Sequence, residues 1–308
     1  MGNSVIKATT SEINKMKEHY RQYLSEKIPP GGVFTAKTPT CSITAYKSGK
    51  VLFQGRDGEG EAARWGQPAV SKQVDKKQAG SHLPANFGSM SVVGSDEVGT
   101  GDFFGPITVV AAYVKKEDLE LLKELGVQDS KNLKDDKIIE IAKQLVKFVP
   151  YSLLTLHNPK YNQMQGSGMS QGKLKALLHN QAIRHVLDKI APEKPEAILI
   201  DQFAKEEVYY NYLKGQRTVV RDKVFFSTKG ESVHLAVAAA SMIARYAFVQ
   251  HMDKLGKKAG FVLPKGAGAQ VDVAAARLIK SKGAECLPEF VKLHFANTDK
   301  AMKMVQRG

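Results

Sequence analysis

The stretch from Met90 to Val114 constrains this chain more than any other. Two apolar, β-branched runs flank a glycine cluster, and the first run ends in adjacent carboxylates, Asp96 and Glu97. Valine and isoleucine favour strands, and glycine allows the positive φ that a bulge or tight loop needs. The spacing predicts a hairpin with acid at the mouth of a sheet. Adjacent carboxylates repel, and burying them unpaired is costly. A metal ion, a lysine or solvent must therefore answer them.

At 308 residues the chain can hold one large domain or two ordinary ones, and 43% hydrophobic with 25% charged residues is a globular composition. No apolar run reaches about 18 residues, so no membrane span is expected. The N-terminus has no apolar segment of the secretory kind, and Cys41 and Cys286 suggest neither a disulfide framework nor a zinc site. The cytoplasm is the expected compartment. A net charge of +14 points to a polyanionic partner, nucleic acid first, with a merely soluble basic surface as the alternative.

Read in order, Ser4 to Lys7 is a strand, and Thr10 to Leu24 a helix with Thr9 or Thr10 as N-cap. Pro29-Pro30-Gly31-Gly32 stops it. Residues 33–37, 41–46 and 51–54 read as strands, and Glu59 to Trp65 as a second helix. Residues 1–65 thus form a small α+β unit. Residues 66–88 lose periodicity and fill with Gln, Lys, Ser, Pro and Gly, a linker composition. The larger unit spans 89–308. In it, Asp135 to Phe148 is an amphipathic helix with Ile138, Ile141, Ala142 and Leu145 on one stripe. Tyr151 to Leu156 is a strand, and Gly166 to Gly172 a break before a long helix, Lys173 to Ile190. Ala197 to Asp201 is a buried parallel strand ending in acid. Val219 to Phe226 is a further strand, and Glu231 opens an alanine-rich helix.

Gly99, Gly101 and Gly105 give a spacing one residue too long for a dinucleotide fingerprint, and the acids ahead of it would repel a pyrophosphate. Ser167 to Leu174 lacks the first glycine and the terminal hydroxyl of a phosphate-binding loop. The acids are more informative. Asp96-Glu97 and Asp201 follow apolar strands and Glu231 opens a helix, so all four can meet at one edge of an open α/β sheet. Clustered oxygen ligands suit Mg²⁺ or Mn²⁺.

Asp96-Glu97-Val98-Gly99-Thr100-Gly101, Asp129-Ser130-Lys131, Ile200-Asp201-Gln202-Phe203 and Lys229-Gly230-Glu231-Ser232 resemble the motifs of the type 2 ribonucleases H. The resemblance runs from about Val92 to the C-terminus. Glu231 as fourth acid, and Gly-Thr-Gly in place of Gly-Arg-Gly, point to the ribonuclease HIII branch. The resemblance implies an α/β fold, a ribonuclease H-like mixed sheet flanked by helices, preceded by an N-terminal domain resembling the TATA-box-binding fold. It also implies a monomeric endonuclease that hydrolyses the RNA strand of RNA–DNA hybrids, leaving 5′-phosphate and 3′-hydroxyl ends. Asp96, Glu97, Asp201 and Glu231 would hold two metal ions, Mg²⁺ or Mn²⁺. Adjacent strand residues face opposite sides, so joint use of Asp96 and Glu97 predicts a twist or bulge there. The backbone at Gly99, Thr100 and Gly101 would read the 2′-hydroxyl, and Ser130 and Lys131 would hold a phosphate. Lys265 could add a phosphate contact. The N-terminal unit, with Lys7, Lys15, Lys17, Arg21, Lys37, Lys47 and Lys50, would grip the duplex. The alternatives are incision at single ribonucleotides in DNA, as in ribonuclease HII, or nucleic-acid binding without catalysis.

Overall fold

The structure is a computed structural model that describes residues 2–26, 28, 32–47, 49–66, 83–128 and 133–306. The chain divides into two compact units, Met1–Ala79 and Gly80–Gly308.

The first unit comprises β1 (Gly2–Lys7), α1 (Thr10–His19), β2 (Gly32–Lys37), β3 (Cys41–Tyr46), β4 (Lys50–Gly55) and α2 (Gly58–Ala63). Its sheet has the order β1-β4-β3-β2, all antiparallel. Thr9 caps α1 in a reciprocal box with Glu12, and the helix ends at His19, short of Leu24. Ile13, Met16 and Tyr20 pack on Phe34, Ile43 and Phe53 to form a core of its own. Tyr20 donates to the buried Glu61 (2.7 Å) and accepts from Trp65 (2.7 Å).

The second unit runs β5 (Val92–Val98), β6 (Ile107–Val114), α3 (Leu119–Glu124), α4 (Asp135–Phe148), β7 (Tyr151–Leu156), α5 (Asn158–Gly166) and α6 (Gln171–Ile190). Then come β8 (Ala197–Asp201), α7 (Glu206–Tyr212), β9 (Val224–Ser227), α8 (Leu235–Ala259), α9 (Ala269–Lys282), α10 (Leu287–Phe290) and α11 (Asn297–Gln306). The mixed sheet has the order β7-β6-β5-β8-β9: β6 is antiparallel to β5 and β7, whereas β5, β8 and β9 are parallel. Alternate residues of β5 and β6 feed two cores. Val92, Val110, Ala112 and Val114 join α4 and α8, while Val93, Val109, Ala111 and Tyr113 join α6. At Gly94 the backbone of α8 leaves no room for a side chain; a Cβ would lie 2.2 Å from Ala236 C and 2.3 Å from Val237 N.

The sequence-based reading differs in several places. Of the expected strand 219–226 only residues 224–226 pair with β8, and the strand runs on to Ser227. Helix α5 was not expected. Glu231 lies in a 3-10 turn, Gly230–Ser232, ahead of α8, because Lys229 adopts a left-handed conformation (φ 59°) and His234 caps the helix. Of the expected linker, only residue 66 and residues 83–88 are described, and Phe87 is buried against the rings of Phe225 and His234.

Candidate active site

In the parallel register, Ser95 of β5 lies beside Ile200 of β8. One residue further on, Asp96 and Asp201 therefore stand side by side on one face at the carboxyl ends of their strands. Neighbouring strands are about 4.8 Å apart, so the two charges are close. Asp201 is anchored by the amide of Gly230, which donates to Oδ1 (2.7 Å), and this ties β8 to the turn that carries Glu231. Asp96 is buried; burial, then Asp201 and then Glu97 hold its carboxyl well above the usual range, against hydrogen bonds from Ser241 on α8 and from the Glu97 amide. Asp96, Glu97, Asp201, Glu231, Ser241, Asp135 and Arg245 line one cavity of about 420 Å³.

Glu97 faces the other side of the strand, toward α6. Lys175 Nζ lies 2.8 Å from Oε1 and His179 Nε2 lies 2.8 Å from Oε2. His179 Nδ1 meets Ser95 Oγ at 2.7 Å, while Ser95 Oγ donates to the Val110 carbonyl. A carboxylate can only accept, so Nε2 carries the hydrogen of the bond to Glu97, and Nδ1 and the serine hydroxyl share the other. Phe203 backs the pair, stacked on His179 at 5.2 Å with the Lys175 ammonium 4.1 Å from its centroid. Burial alone would raise the Glu97 carboxyl, but His179 and Lys175 outweigh it and bring it down to about 2. No bulge accompanies this: the β5–β6 register runs without a shift through Glu97↔Val109 and Val98↔Thr108. The two carboxylates are separated by the pleat instead.

Across the cavity, Asp135 at the start of α4 accepts from Arg245 Nε (2.9 Å) and pairs with Lys265. Burial raises its carboxyl, and the two cations more than reverse this. An all-oxygen donor set around a buried carboxylate crowded by its neighbours is what Mg²⁺ or Mn²⁺ accepts, so the four acids fit such ions by chemistry. Among the described residues no three His, Cys, Asp or Glu side chains already stand as a cation cage. Glu97 is turned onto Lys175 and His179 of α6.

The glycines of the following turn differ in what they require. Gly99 (φ 98°) must be glycine, since a Cβ would lie 2.2 Å from the Pro106 carbonyl oxygen. Gly101 has no positive φ, and a Cβ there would meet nothing within 4 Å. The turn itself therefore explains Gly99 but not Gly101. Ser130 and Lys131 lie outside the described residues. Asn180 is buried and ties down the 218–220 segment, donating to Thr218 O and accepting from Val220 N. Tyr209 packs on Phe203 and Phe226.

Lys175 and His179 were missed from sequence, as were the roles of Ser241, Arg245 and Asp135. Each of the two helices carried a signal. Lys175 and His179 are four apart on α6, and Ser241 and Arg245 are four apart in the apolar first half of α8. Such a spacing puts both members of a pair on one face.

A family model described as Ribonuclease HII matches residues 93–298, and one described as a domain of unknown function (DUF3378) matches residues 3–78. The chain is 60% identical over 312 residues to the ribonuclease HIII of Bacillus mycoides (strain KBAB4), with 100% of both chains covered. It is 60% identical over 311 residues to the ribonuclease HIII of Bacillus anthracis, covering 99% of this chain and 100% of that relative. Among solved structures it is similar to Bst-RNase HIII in complex with Mn²⁺, with a TM-score of 0.73, 47% identity and 100% of both chains covered. Aquifex aeolicus RNase H3 shares the fold, with a TM-score of 0.54 at 21% identity over 94% of this chain and 98% of that one.

Proposed function

The chain belongs to the ribonuclease HIII family, and from that premise we infer which of its side chains carry the hydrolysis of RNA in RNA–DNA hybrids. The observation that supports the reading most is that Asp96 and Glu97 of β5, Asp201 at the end of β8 and Glu231 of the turn before α8 line one cavity. The family depends on divalent metal, and in our reading these four carboxylates hold two ions. Bound divalent cations supply the Lewis acidity and positive charge that phosphodiester hydrolysis needs. Asp96 and Asp201, on adjacent strands, present their oxygens to the α8 side of the cavity. Glu231 adds a third carboxylate from the turn before α8. Glu97 is oriented by Lys175 and His179, which fix both of its oxygens before substrate arrives. Arg245 and Lys265 place positive charge beside the cavity, where a substrate phosphate would lie, and their pairing with Asp135 sets their positions.

Choice of RNA falls to the backbone of Gly99, Thr100 and Gly101, whose amides can approach a 2′-hydroxyl where no side chain intervenes. The open space at Gly101 supports this. Ser130 and Lys131 are assigned to a phosphate. Residues 1–65 are assigned to gripping the duplex, 66–88 to the connection, and 89–308 to catalysis. Among the described residues no helix is long and apolar enough to cross a membrane. A monomer in the cytoplasm is the working assignment.

The test is cleavage of an end-labelled RNA–DNA hybrid with Mg²⁺ or Mn²⁺. Wild type should leave 5′-phosphate and 3′-hydroxyl ends, and Asp96→Asn should lose more than about a hundredfold in rate, beyond what loss of a merely supporting residue costs. Equal cleavage by the variant would remove Asp96 from the site. A duplex with one embedded ribonucleotide, run beside the hybrid, separates this activity from ribonuclease HII-like incision.

A further inference from the structure

Lys292 is fully buried (0% exposed), yet among the described residues no carboxylate forms an ion pair with it. Its ammonium donates instead to two backbone carbonyls of the glycine turn, Asp102 O (2.7 Å) and Gly105 O (2.6 Å), and its own amide donates to Phe103 O (2.9 Å). Burying an ammonium is costly, and its burial pushes Lys292 down to about 7, with the nearby Asp102 charge pulling the other way. A methionine or leucine would fill such a site more cheaply. Something other than packing accounts for a lysine here.

The same turn is held from a second side. Gln171, the first residue of α6, donates from Nε2 to Thr100 O (3.1 Å) and to the Tyr161 hydroxyl (3.2 Å). A trans peptide sets its C=O and N–H in opposite directions. Drawing the Thr100 carbonyl onto Gln171 therefore turns the Gly101 N–H the other way, on the side of the chain away from α6's first turn. Downstream, Gly266 donates to Asp102 Oδ1 (2.6 Å) and Phe103 donates to Gly266 O (2.9 Å), so the far end of the turn, at Asp102 and Phe103, is held as well.

We propose that Lys292 and Gln171 form a two-point staple that fixes the peptide planes of residues 99–105, and that this staple determines how strongly the enzyme discriminates a ribose from a deoxyribose. Both are positioning residues: neither touches substrate. Three inward bonds to carbonyls define one conformation of a turn whose glycines would otherwise allow several. The inference rests on the reading that the 99–101 backbone contacts the 2′-hydroxyl.

The test is an enzyme–substrate double-mutant cycle. Hybrids are prepared with a complete RNA strand or with 2′-deoxy substitution at single positions near one cleavage site, and kcat/KM is measured for wild type, Lys292→Met and Gln171→Leu. Wild type should lose about tenfold or more at the position that is read, the scale of one lost hydrogen bond to a buried partner. In either variant that penalty should shrink to about threefold or less, while thermal unfolding and Mn²⁺ binding measured by calorimetry stay within about twofold of wild type in affinity. A folded variant with the full wild-type penalty overturns the staple. A wild type with no penalty at any position overturns the underlying assignment of the turn instead, and the staple falls with it. Should Lys292→Met not fold, Gln171→Leu decides alone, since Gln171 sits at a helix end outside the apolar cores.

Discussion

His234 holds the start of α8 through both ring nitrogens. Nδ1 accepts from the Ala236 amide (3.0 Å), so the hydrogen is on Nε2, which donates to the Met90 carbonyl (3.1 Å). A second proton would remove the cap, and burial pushes the imidazole down to about 4, against the Met90 bond. An unfolded histidine titrates near 6.5. Between those values the unfolded chain binds a proton that the folded chain refuses, so stability falls as pH drops from about 6.5 to 4 and is independent of this group above it. The loss should reach about 3 kcal/mol across the window. Urea unfolding at pH 7 and at pH 4.5 should show roughly 2 kcal/mol less acid loss in His234→Asn, which can still cap a helix; equal losses would remove His234 as the cause. At this scale the sequence told only part of the story. Asp96, Asp201 and Glu231 stood out because acids at the ends of apolar segments are costly unless used. The histidines did not: His179 and His234 both sit on apolar helical stretches, and only the fold shows that one clamps Glu97 while the other caps α8.

Helix α8 matters through its distance from the sheet as much as through its residues. It reaches β5 at Gly94, where the obstruction to a Cβ is backbone and has no rotamer by which to move. Gly94→Ala should push the first turns of α8 outward, carrying Ser241 away from Asp96. A cost of about 3 kcal/mol is expected for such overpacking, or roughly 6–12 °C in Tm for a unit of this size. Calorimetry on Gly94→Ala beside Gly101→Ala makes the comparison internal: the second, with open space at its Cβ, should unfold where wild type does. An unchanged Gly94→Ala would mean that α8 is not seated so closely. Elements with strong periodicity were legible. The stripe Ile138, Ile141, Ala142 and Leu145 gave α4 its bounds, and the apolar run 197–201 gave β8 its parallel, buried place. Helix α5 was not legible, because Asn158-Pro159-Lys160 begins it and no apolar stripe follows. The 3-10 turn at Glu231 escaped for another reason: it depends on a left-handed lysine, a backbone state that side-chain patterns do not encode.

At the scale of the whole molecule, our reading assigns chemistry and grip to different units. Each of the two compact units has a hydrophobic core of its own, around Phe34, Ile43 and Phe53 in the first and around the mixed sheet in the second. All four acids lie in the second unit. The first carries exposed Lys7, Lys15, Lys17, Arg21, Lys37 and Lys47, and its match to a separate family model, over residues 3–78, is that of a self-contained module. Deleting residues 1–79 should therefore leave the chemistry in place and weaken the encounter with a polyanion. Each phosphate contact contributes about 0.9 to the slope of log affinity against log salt on duplex DNA, so if half of those side chains make contact the slope should flatten by roughly 2–3. KM for hybrid should rise most at low salt and converge on the full-length value as salt increases, while kcat holds, because attraction by exposed charge fades with screening and Asp96, Glu97, Asp201 and Glu231 are untouched. The decisive comparison is KM over a salt series for the full chain and for residues 80–308. Parallel lines would mean that the basic side chains of the first unit face away from the duplex and that the second unit binds its substrate unaided.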